Sequence, residues 1–118
     1  MTTTEPAEAF AREWLEAWNS HDLERILAHY AEDVEFLSPF ARQRVGSGRV
    51  RGKAALRAYW AAALASQPNL AFELLRVYAG HDALTIRYRN HRGQEATETF
   101  ELGGDGLVIR SSACYAPA

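Results

Sequence analysis

Residues 83–102 read ALTIRYRNHRGQEATETFEL, and apolar and polar side chains alternate along both halves of this stretch. Alternation with a period of two is typical of a β-strand that buries one face, because successive side chains point to opposite sides. Arg92-Gly93 interrupts the pattern and suits a tight turn. The stretch therefore predicts two antiparallel strands, from Ala83 to His91 and from Gln94 to Leu102.

Two further segments of strand composition flank this hairpin. They run from Leu70 to Ala79 and from Leu107 to Tyr115, and glycine-containing turns separate them from the hairpin. Short strands joined by such turns are typical of an antiparallel meander. The C-terminal part of the chain therefore predicts a sheet of four consecutive strands.

The N-terminal part of the chain has a different period. Apolar residues recur at helical spacing from Phe10 to Trp18, from Leu23 to Tyr30 and from Leu56 to Leu64. Between the second and third of these helices, Val34 to Leu37 has strand composition. Ser38-Pro39 ends that strand, because proline has no amide hydrogen to donate.

The element order is helix, helix, strand, helix and four strands, which predicts an α+β fold. We expect three helices to cover one face of a curved, mixed or antiparallel sheet, so that helices and sheet enclose a cone. Residues 1–7 are expected to form a polar tail and residues 8–118 a single domain. The 118 residues, 47% apolar and 24% charged, suffice for one hydrophobic core.

Composition excludes several function classes. The formal net charge of −2 argues against a protein that coats nucleic acid or an anionic membrane. A single cysteine and four scattered histidines predict no metal site, and the lack of a glycine-rich phosphate loop predicts no nucleotide cofactor. With neither a secretory leader nor a long apolar run, we expect a cytoplasmic protein.

Three motifs carry a resemblance to a known family. They are WNSHD at 18–22, YAEDVEF at 30–36 and GKAALR at 52–57. In order and spacing they resemble the SnoaL-like branch of the nuclear transport factor two-like superfamily, over about residues 8–115. That superfamily includes ketosteroid isomerases, polyketide cyclases and proteins that only bind partners. The resemblance implies a cone-shaped pocket and commonly a homodimer.

Glu98 is the candidate catalytic residue. Strand alternation places it on the same side as Ala96 and Phe100, which is the apolar side. Burial disfavours an ionised carboxylate and raises its pKa towards neutrality, as proton transfer requires. By resemblance, Glu98 falls near the position where ketosteroid isomerases hold a protonated aspartic acid. The alternatives are a structural carboxylate paired with a buried donor, or a strand rotated by one residue.

Trp14 and Ser38 occupy two other positions that the resemblance singles out. Trp14 stands where the isomerases have a tyrosine that donates a hydrogen bond to the substrate oxygen. An indole N–H can donate such a bond but cannot transfer a proton. Ser38 stands where they have the aspartate that abstracts a proton, and a serine without a base cannot do so. Each residue also has a purely structural interpretation, Trp14 as core and Ser38 as a strand terminator.

The expected ligand is a small hydrophobic, partly oxygenated molecule. Many aromatic residues in a short chain suggest a wide apolar cavity, and inward hydroxyl and amide groups would bind oxygen atoms. Ile109, Ser111, Ala113 and Tyr115 alternate with the other side chains of the last strand, and the resemblance implies that this set faces the cavity. Besides Trp14 and Ser38, the predicted ligand-binding residues are Trp18, Phe36, Phe40, Tyr59, Trp60, Tyr88, Asn90, Phe100, Ser111 and Tyr115.

Basic residues accumulate around the predicted loop from Phe40 to Arg51. Between Phe36 and Phe72 the sequence has no acidic residue, while six basic residues occur from Arg42 to Arg57. Such a rim could attract a carboxylate, a phosphate or an acyl-carrier tail, or it could be a solvated surface that balances the acidic first helix. Sequence leaves this choice open.

Three functions are compatible with these observations. The leading one is a cofactor-independent enzyme of the ketosteroid isomerase or polyketide cyclase type, which isomerises, dehydrates or cyclises a hydrophobic carbonyl compound by acid/base chemistry. The second is a non-catalytic module that binds a hydrophobic ligand. The third is a dimerisation domain that pairs through the polar outer face of the sheet, where we expect Arg87, Glu95 and Thr97.

Overall fold

The structure is a computed structural model that describes residues 4–117. Within that range it contains four helices and six strands. The helices are α1 (Thr4–Ser20), α2 (Leu23–Leu27), α3 (Ala41–Val45) and α4 (Lys53–Ser66). The strands are β1 (Tyr30–Leu37), β2 (Arg49–Arg51), β3 (Phe72–Gly80), β4 (Ala83–Asn90), β5 (Glu95–Leu102) and β6 (Val108–Tyr115).

The strands form one mixed sheet in the order β2-β1-β6-β5-β4-β3. All neighbours are antiparallel except β1 and β6, which run parallel. The four C-terminal strands pair in chain order, as the predicted meander requires. The predicted α+β class is confirmed, with a sheet that does not close into a barrel and a core between the helices and the sheet.

The predicted loop between the first strand and the long helix contains two short elements that sequence analysis missed. One is α3, and the other is β2, which pairs with β1 so that Arg51 lies opposite Glu35. A three-residue strand with only Val50 buried has too little alternation to be recognised. The helix count is therefore four instead of three, and the strand count six instead of five.

The second helix and the N-terminal tail also differ from prediction. Helix α2 ends at Leu27, and Tyr30 begins β1, where it pairs with Val108. Tyr30 is fully buried. It joins the core from a strand, although its spacing from Leu23 also fits the apolar face of a helix. Helix α1 already begins at Thr4, so residues 4–7 of the predicted tail are helical, and residues 1–3 lie outside the described range.

The alternation predicted for the last strand fails at its start. A register shift lies between Glu101 and Leu102 on β5, opposite the segment that contains Ile109. Ile109 is consequently 44% exposed, whereas Val108 is fully buried. An extra residue in one strand reverses the side to which later side chains point. Ser111 and Ala113 beyond the shift are buried, as predicted.

The motif at 18–22 forms the corner between α1 and α2. The Asn19 side chain accepts a 2.7 Å hydrogen bond from the Phe72 backbone N–H and donates a 3.0 Å bond to the Phe72 carbonyl oxygen. His21 Nε2 lies 2.7 Å from the Leu70 carbonyl oxygen. Asp22 caps α2 by accepting a bond from the Arg25 N–H. The corner thereby attaches α1 to the start of β3.

No helix within residues 4–117 is both long enough and apolar enough to cross a membrane.

Candidate functional site

A cavity of about 470 Å³ lies between the helices and the inner face of the sheet. This volume is within the range of sites for small organic molecules. Helices α1 and α4 contribute indole and phenol rings, and strands β4, β5 and β6 contribute side chains from the sheet. The predicted site residues that line it are Trp14, Trp18, Phe36, Phe40, Tyr59, Trp60, Tyr88, Glu98 and Tyr115.

Of the described residues that line this cavity, Glu98 alone is acidic. It lies in the middle of β5, between Ile86 on β4 and Ala113 on β6, and is 3% exposed. Burial raises its pKa to about 7, and hydrogen bonding with Ser111 and Tyr88 opposes that rise. At neutral pH both protonation states are populated, so this carboxyl group can either accept or donate a proton.

Phenolic groups continue from Glu98 along the cavity wall. The Tyr88 hydroxyl interacts with Glu98 on one side and with Tyr115 on the other. Ser38 interacts with the hydroxyls of Tyr115 and Tyr59. Burial raises the pKa of Tyr115 to about 12 and that of Tyr88 well above its ordinary value. These phenols therefore keep their protons and can donate hydrogen bonds to a ligand oxygen.

Trp14 uses its indole N–H within the protein. Its Nε1 donates a 2.9 Å hydrogen bond to Tyr30 Oη, and both side chains are buried. The Trp14 ring stacks on Phe72 with 5.7 Å between centroids and 13° between planes. Trp14 thus presents ring surface to the cavity, while its donor fixes Tyr30. Burial, and secondarily the charge of Glu98, raises the pKa of Tyr30 well above its ordinary value.

Trp18 has a buried donor without an acceptor. Its Nε1 is the one buried side-chain nitrogen or oxygen in the described range that lacks a hydrogen-bond partner. The ring is 5% exposed, lines the cavity and stands edge-to-face with Trp60 at a centroid distance of 5.0 Å. A buried unpaired donor is unusual, and this nitrogen has almost no exposed surface, so the ring and not its N–H faces the cavity.

The family model described as SnoaL-like domain matches residues 11–115. This chain belongs to the SnoaL-like domain family. The match agrees with the resemblance seen in the three motifs, and it covers nearly all of the cavity-lining residues.

Solved structures share the fold of this SnoaL-like chain. A SnoaL-like protein of unknown function from Burkholderia thailandensis is 46% identical, with 94% of this chain and 95% of that chain covered and a TM-score of 0.90. A protein provisionally assigned as a ketosteroid isomerase, from Kribbella flavida, is 24% identical over 100% of this chain and 83% of that one, with a TM-score of 0.76. A provisional polyketide cyclase from Sinorhizobium meliloti is 16% identical over 96% and 99% of the two chains, with a TM-score of 0.75. No curated protein matches this sequence.

Four predicted site residues of the SnoaL-like chain lie outside the cavity lining. Ser38 Oγ accepts a 3.2 Å bond from the Phe40 N–H, a local turn that ends β1. Asn90 Oδ1 accepts bonds from two backbone N–H groups of the β4–β5 turn, those of Arg92 and Gln94. Phe100 is fully buried against Trp14. Ser111 lies beside Glu98 and donates a 2.6 Å bond to its Oε2.

Several lining residues were missed by sequence analysis. Arg44 on α3 and Arg92 in the β4–β5 turn line the cavity, together with Gln43, Ala63, Ser66, Gln67, Leu70 and Phe72. Arg44 belongs to the basic cluster seen in the sequence, which was the available signal. Nothing in the sequence brings Arg92, 48 positions further on, to the same cavity.

The described residues contain no group of three histidine, cysteine, aspartate or glutamate side chains that could hold a metal ion. The functional groups at this site are therefore one carboxyl group, three phenols, one unpaired indole N–H and two guanidinium groups.

Proposed function

We propose that this chain is a cofactor-independent enzyme of the ketosteroid isomerase or polyketide cyclase type, acting on a small hydrophobic carbonyl compound. The observation that carries the proposal is Glu98, buried in an aromatic-walled cavity with its pKa at about 7. A base whose pKa matches the working pH combines a useful ionised fraction with good proton affinity. Family members provisionally named as isomerase and cyclase support the reaction class.

In this proposal the Glu98 carboxylate removes a proton from the carbon next to the carbonyl group. Electrons of the C–H bond move to the carbonyl oxygen, and an enolate forms. The phenol of Tyr115 donates a hydrogen bond to that oxygen, while the Tyr88 hydroxyl hydrogen-bonds with Glu98. Donors fixed in a cavity with little water stabilise developing negative charge without reorganising. Where a C=C bond adjoins that carbon, the enolate is a dienolate, and protonated Glu98 returns the proton to its far carbon, so that the double bond moves into conjugation with the carbonyl group. With a simple ketone the proton returns to the same carbon.

The proposal is tested without knowing the natural substrate. 2-Tetralone, a bicyclic ketone with acidic α-protons, is incubated with the protein in D2O, and exchange of its α-protons for deuterium is followed by NMR. We expect the wild-type protein to accelerate exchange and Glu98→Gln to lose at least about a hundredfold of that acceleration, the usual contribution of a general base. Glu101→Gln is the matched control, because Glu101 is on the same strand but exposed.

A second candidate function, a module that only binds a ligand, is favoured by one observation. Ser38, at the position of the isomerase aspartate, is not acidic, and its hydroxyl accepts a hydrogen bond in a local turn. Glu98 is therefore without a second carboxyl group in the described lining. The same experiment separates the two functions. Exchange no faster than with Glu98→Gln, in a protein that still binds the ketone, would leave the binding function and reject the catalytic one.

We also infer a homodimer that pairs through the outer face of the sheet. Tyr78, Thr85, Thr99 and Ser112 form one row across β3, β4, β5 and β6. This row is uncharged. Beside it Arg89 pairs with Glu73 at 3.1 Å, while Arg76 lies over the Tyr78 ring without a carboxylate partner among the described residues. A second copy could pack its own uncharged row against this one.

The lone free cysteine, Cys114, supports a reducing compartment such as the cytoplasm.

A further inference from the structure

The basic cluster that the sequence left unexplained is divided by the fold into two parts. Arg49 and Arg51 both pair with Glu35, at 3.4 and 3.3 Å, and Arg57 pairs with Glu24 at 2.8 Å. Each of these three arginines therefore has a carboxylate partner on the surface, although Arg49 and Arg51 share that of Glu35. Arg44 is different, because it lines the cavity.

Arg44 and Arg92 are the two cationic residues among the described lining of the cavity. Neither has a carboxylate within 4.0 Å in residues 4–117. Arg44 Nη2 donates only to the Ser66 hydroxyl, at 3.1 Å. Both side chains are exposed, whereas Glu98 and the indoles of the lining are buried, so the arginines mark the open end of the cavity.

Charge along the cavity is therefore uneven. Its deep end holds a carboxyl group that is partly uncharged at neutral pH, and its open end holds two guanidinium groups without acidic partners. A guanidinium group presents N–H donors in a planar fork that matches the oxygens of a carboxylate or phosphate. Gln43 and Gln67 add amide donors at the same end.

We infer that the cavity binds an amphiphilic anion, whose apolar body lies among the aromatic rings and whose anionic oxygen group lies at Arg44 and Arg92. The uncharged carbonyl of the same molecule would then reach Glu98, and this second part rests on the proposed function. The anionic group is a carboxylate or a phosphate ester. Its attraction to the rim also draws the ligand towards the cavity in a salt-dependent way.

Binding of paired probes tests the inference. 6-Acetyl-2-naphthoate and uncharged 2-acetylnaphthalene share one aromatic body and one ketone, and 2-naphthyl phosphate and 2-naphthoate compare the two anionic groups. Isothermal titration calorimetry gives each dissociation constant in 50 and 500 mM NaCl. The variants are Arg44→Gln, Arg92→Gln and both together. Arg42→Gln is the matched control, because Arg42 is exposed on the same helix and does not line the cavity.

The wild-type protein should bind 6-acetyl-2-naphthoate at least about tenfold more tightly than 2-acetylnaphthalene at low salt. Each single variant should lose about fivefold of that preference. The double variant should bind both probes equally, with unchanged affinity for the ketone. Arg42→Gln should keep the preference, and high salt should reduce it. Of 2-naphthyl phosphate and 2-naphthoate, the probe with the lower dissociation constant identifies the anionic group.

Equal affinity of the wild-type protein for acid and ketone, or a preference that survives in the double variant, overturns the inference. Such a result leaves the proposed function standing, since that function is read from exchange at Glu98. Binding of neither probe at millimolar concentration overturns the inference alone, since exchange of 2-tetralone tests the proposed function separately. Circular dichroism of each variant establishes that it folds before it is titrated.

Discussion

Ser111 Oγ donates a 2.6 Å hydrogen bond to Oε2 of Glu98, from one buried side chain to another across neighbouring strands. Glu98 lies opposite Ala113 in the ladder and Phe100 lies opposite Ser111, so the bonded residues are diagonal neighbours on one face of the sheet. The bond favours the ionised carboxylate, whereas burial favours the protonated form. The Glu98 pKa of about 7 is the balance of burial against the hydrogen bonds with Ser111 and Tyr88.

Replacing Ser111 with alanine tests this balance. The substitution removes one donor and leaves the Tyr88 hydrogen bond as the remaining opposition to burial, so we expect the pKa of Glu98 to rise. Carbon-13 NMR titration of the glutamate carboxyl resonances measures it directly. At pH 7 less carboxylate would be present, so the exchange rate should fall and its optimum should move to higher pH. Ser112→Ala, on the opposite side of the strand, should leave the titration unchanged, and an unmoved Glu98 pKa in Ser111→Ala would contradict the argument.

Stability should depend on pH through Glu98. Its pKa is raised from an ordinary value of 4.5 to about 7, so the folded state binds the proton more tightly than the unfolded state does. The stabilisation is complete below pH 4.5 and is lost as pH rises to 7, by about 3 kcal/mol in total. Urea denaturation of wild type and Glu98→Gln at several pH values measures the difference. The variant should gain relative stability by that amount as pH rises through this window.

The control for this measurement is Glu101→Gln, whose side chain is exposed on the same strand. Its stability relative to wild type should stay nearly constant across the same pH range. A parallel pH dependence in wild type and Glu98→Gln would show that Glu98 titrates normally and is not buried.

Two tryptophans offer a matched pair of substitutions. Trp14→Phe and Trp18→Phe remove the same atoms from buried rings, but only Trp14 loses a hydrogen bond, the 2.9 Å bond to Tyr30. The volume costs are similar, so the difference in free energy of unfolding reports the bond. We expect Trp14→Phe to be less stable than Trp18→Phe by about 1–3 kcal/mol, measured by urea denaturation. Equal stability of the two variants would refute the assignment of the Trp14 hydrogen bond.

Asn19 connects α1 to the edge strand β3 through two hydrogen bonds to one residue, Phe72. Asn19→Ala removes both, and because the site is exposed, water partly replaces them. We expect a loss of about 1–2 kcal/mol in free energy of unfolding. Thermal or urea denaturation measures it, with Ser20→Ala as a neighbouring control whose hydroxyl bonds the Ala17 carbonyl and the Asp22 N–H but not β3. A loss confined to Ser20→Ala would contradict this role of the corner.

The inferred dimer predicts an effect of charge at the centre of the outer sheet face. Thr99 lies in the uncharged row and its hydroxyl is 2.9 Å from that of Thr85. Thr99→Arg should convert a dimer of the wild-type chain to a monomer, as read by light scattering at micromolar concentration. Ala61→Arg, exposed on α4 and away from the sheet, should not. A monomeric wild-type chain would exclude the dimer.

The inner and outer faces of the sheet were readable from the sequence because alternation is local. Ala96, Glu98 and Phe100 share the buried side of β5, as their spacing predicts. The same reasoning failed where one extra residue entered a strand, at Ile109, because a register shift depends on the partner strand and leaves no mark in the sequence. It also failed at Tyr30, whose apolar spacing fits a helix or a strand equally well.

Sequence by itself determined the α+β class, predicted the order of all elements but α3 and β2, and predicted the inward side for Glu98, since these follow from periodicity and turn residues within short stretches. Only the tertiary structure decided that Ser111 restrains the Glu98 pKa, that Tyr30 accepts the Trp14 hydrogen bond, and that Arg92 lines the same cavity as Arg44. The two hydrogen bonds join residues 13 and 16 positions apart, and the two arginines are 48 positions apart. Such contacts depend on how strands pair and how helices pack, which no local pattern encodes.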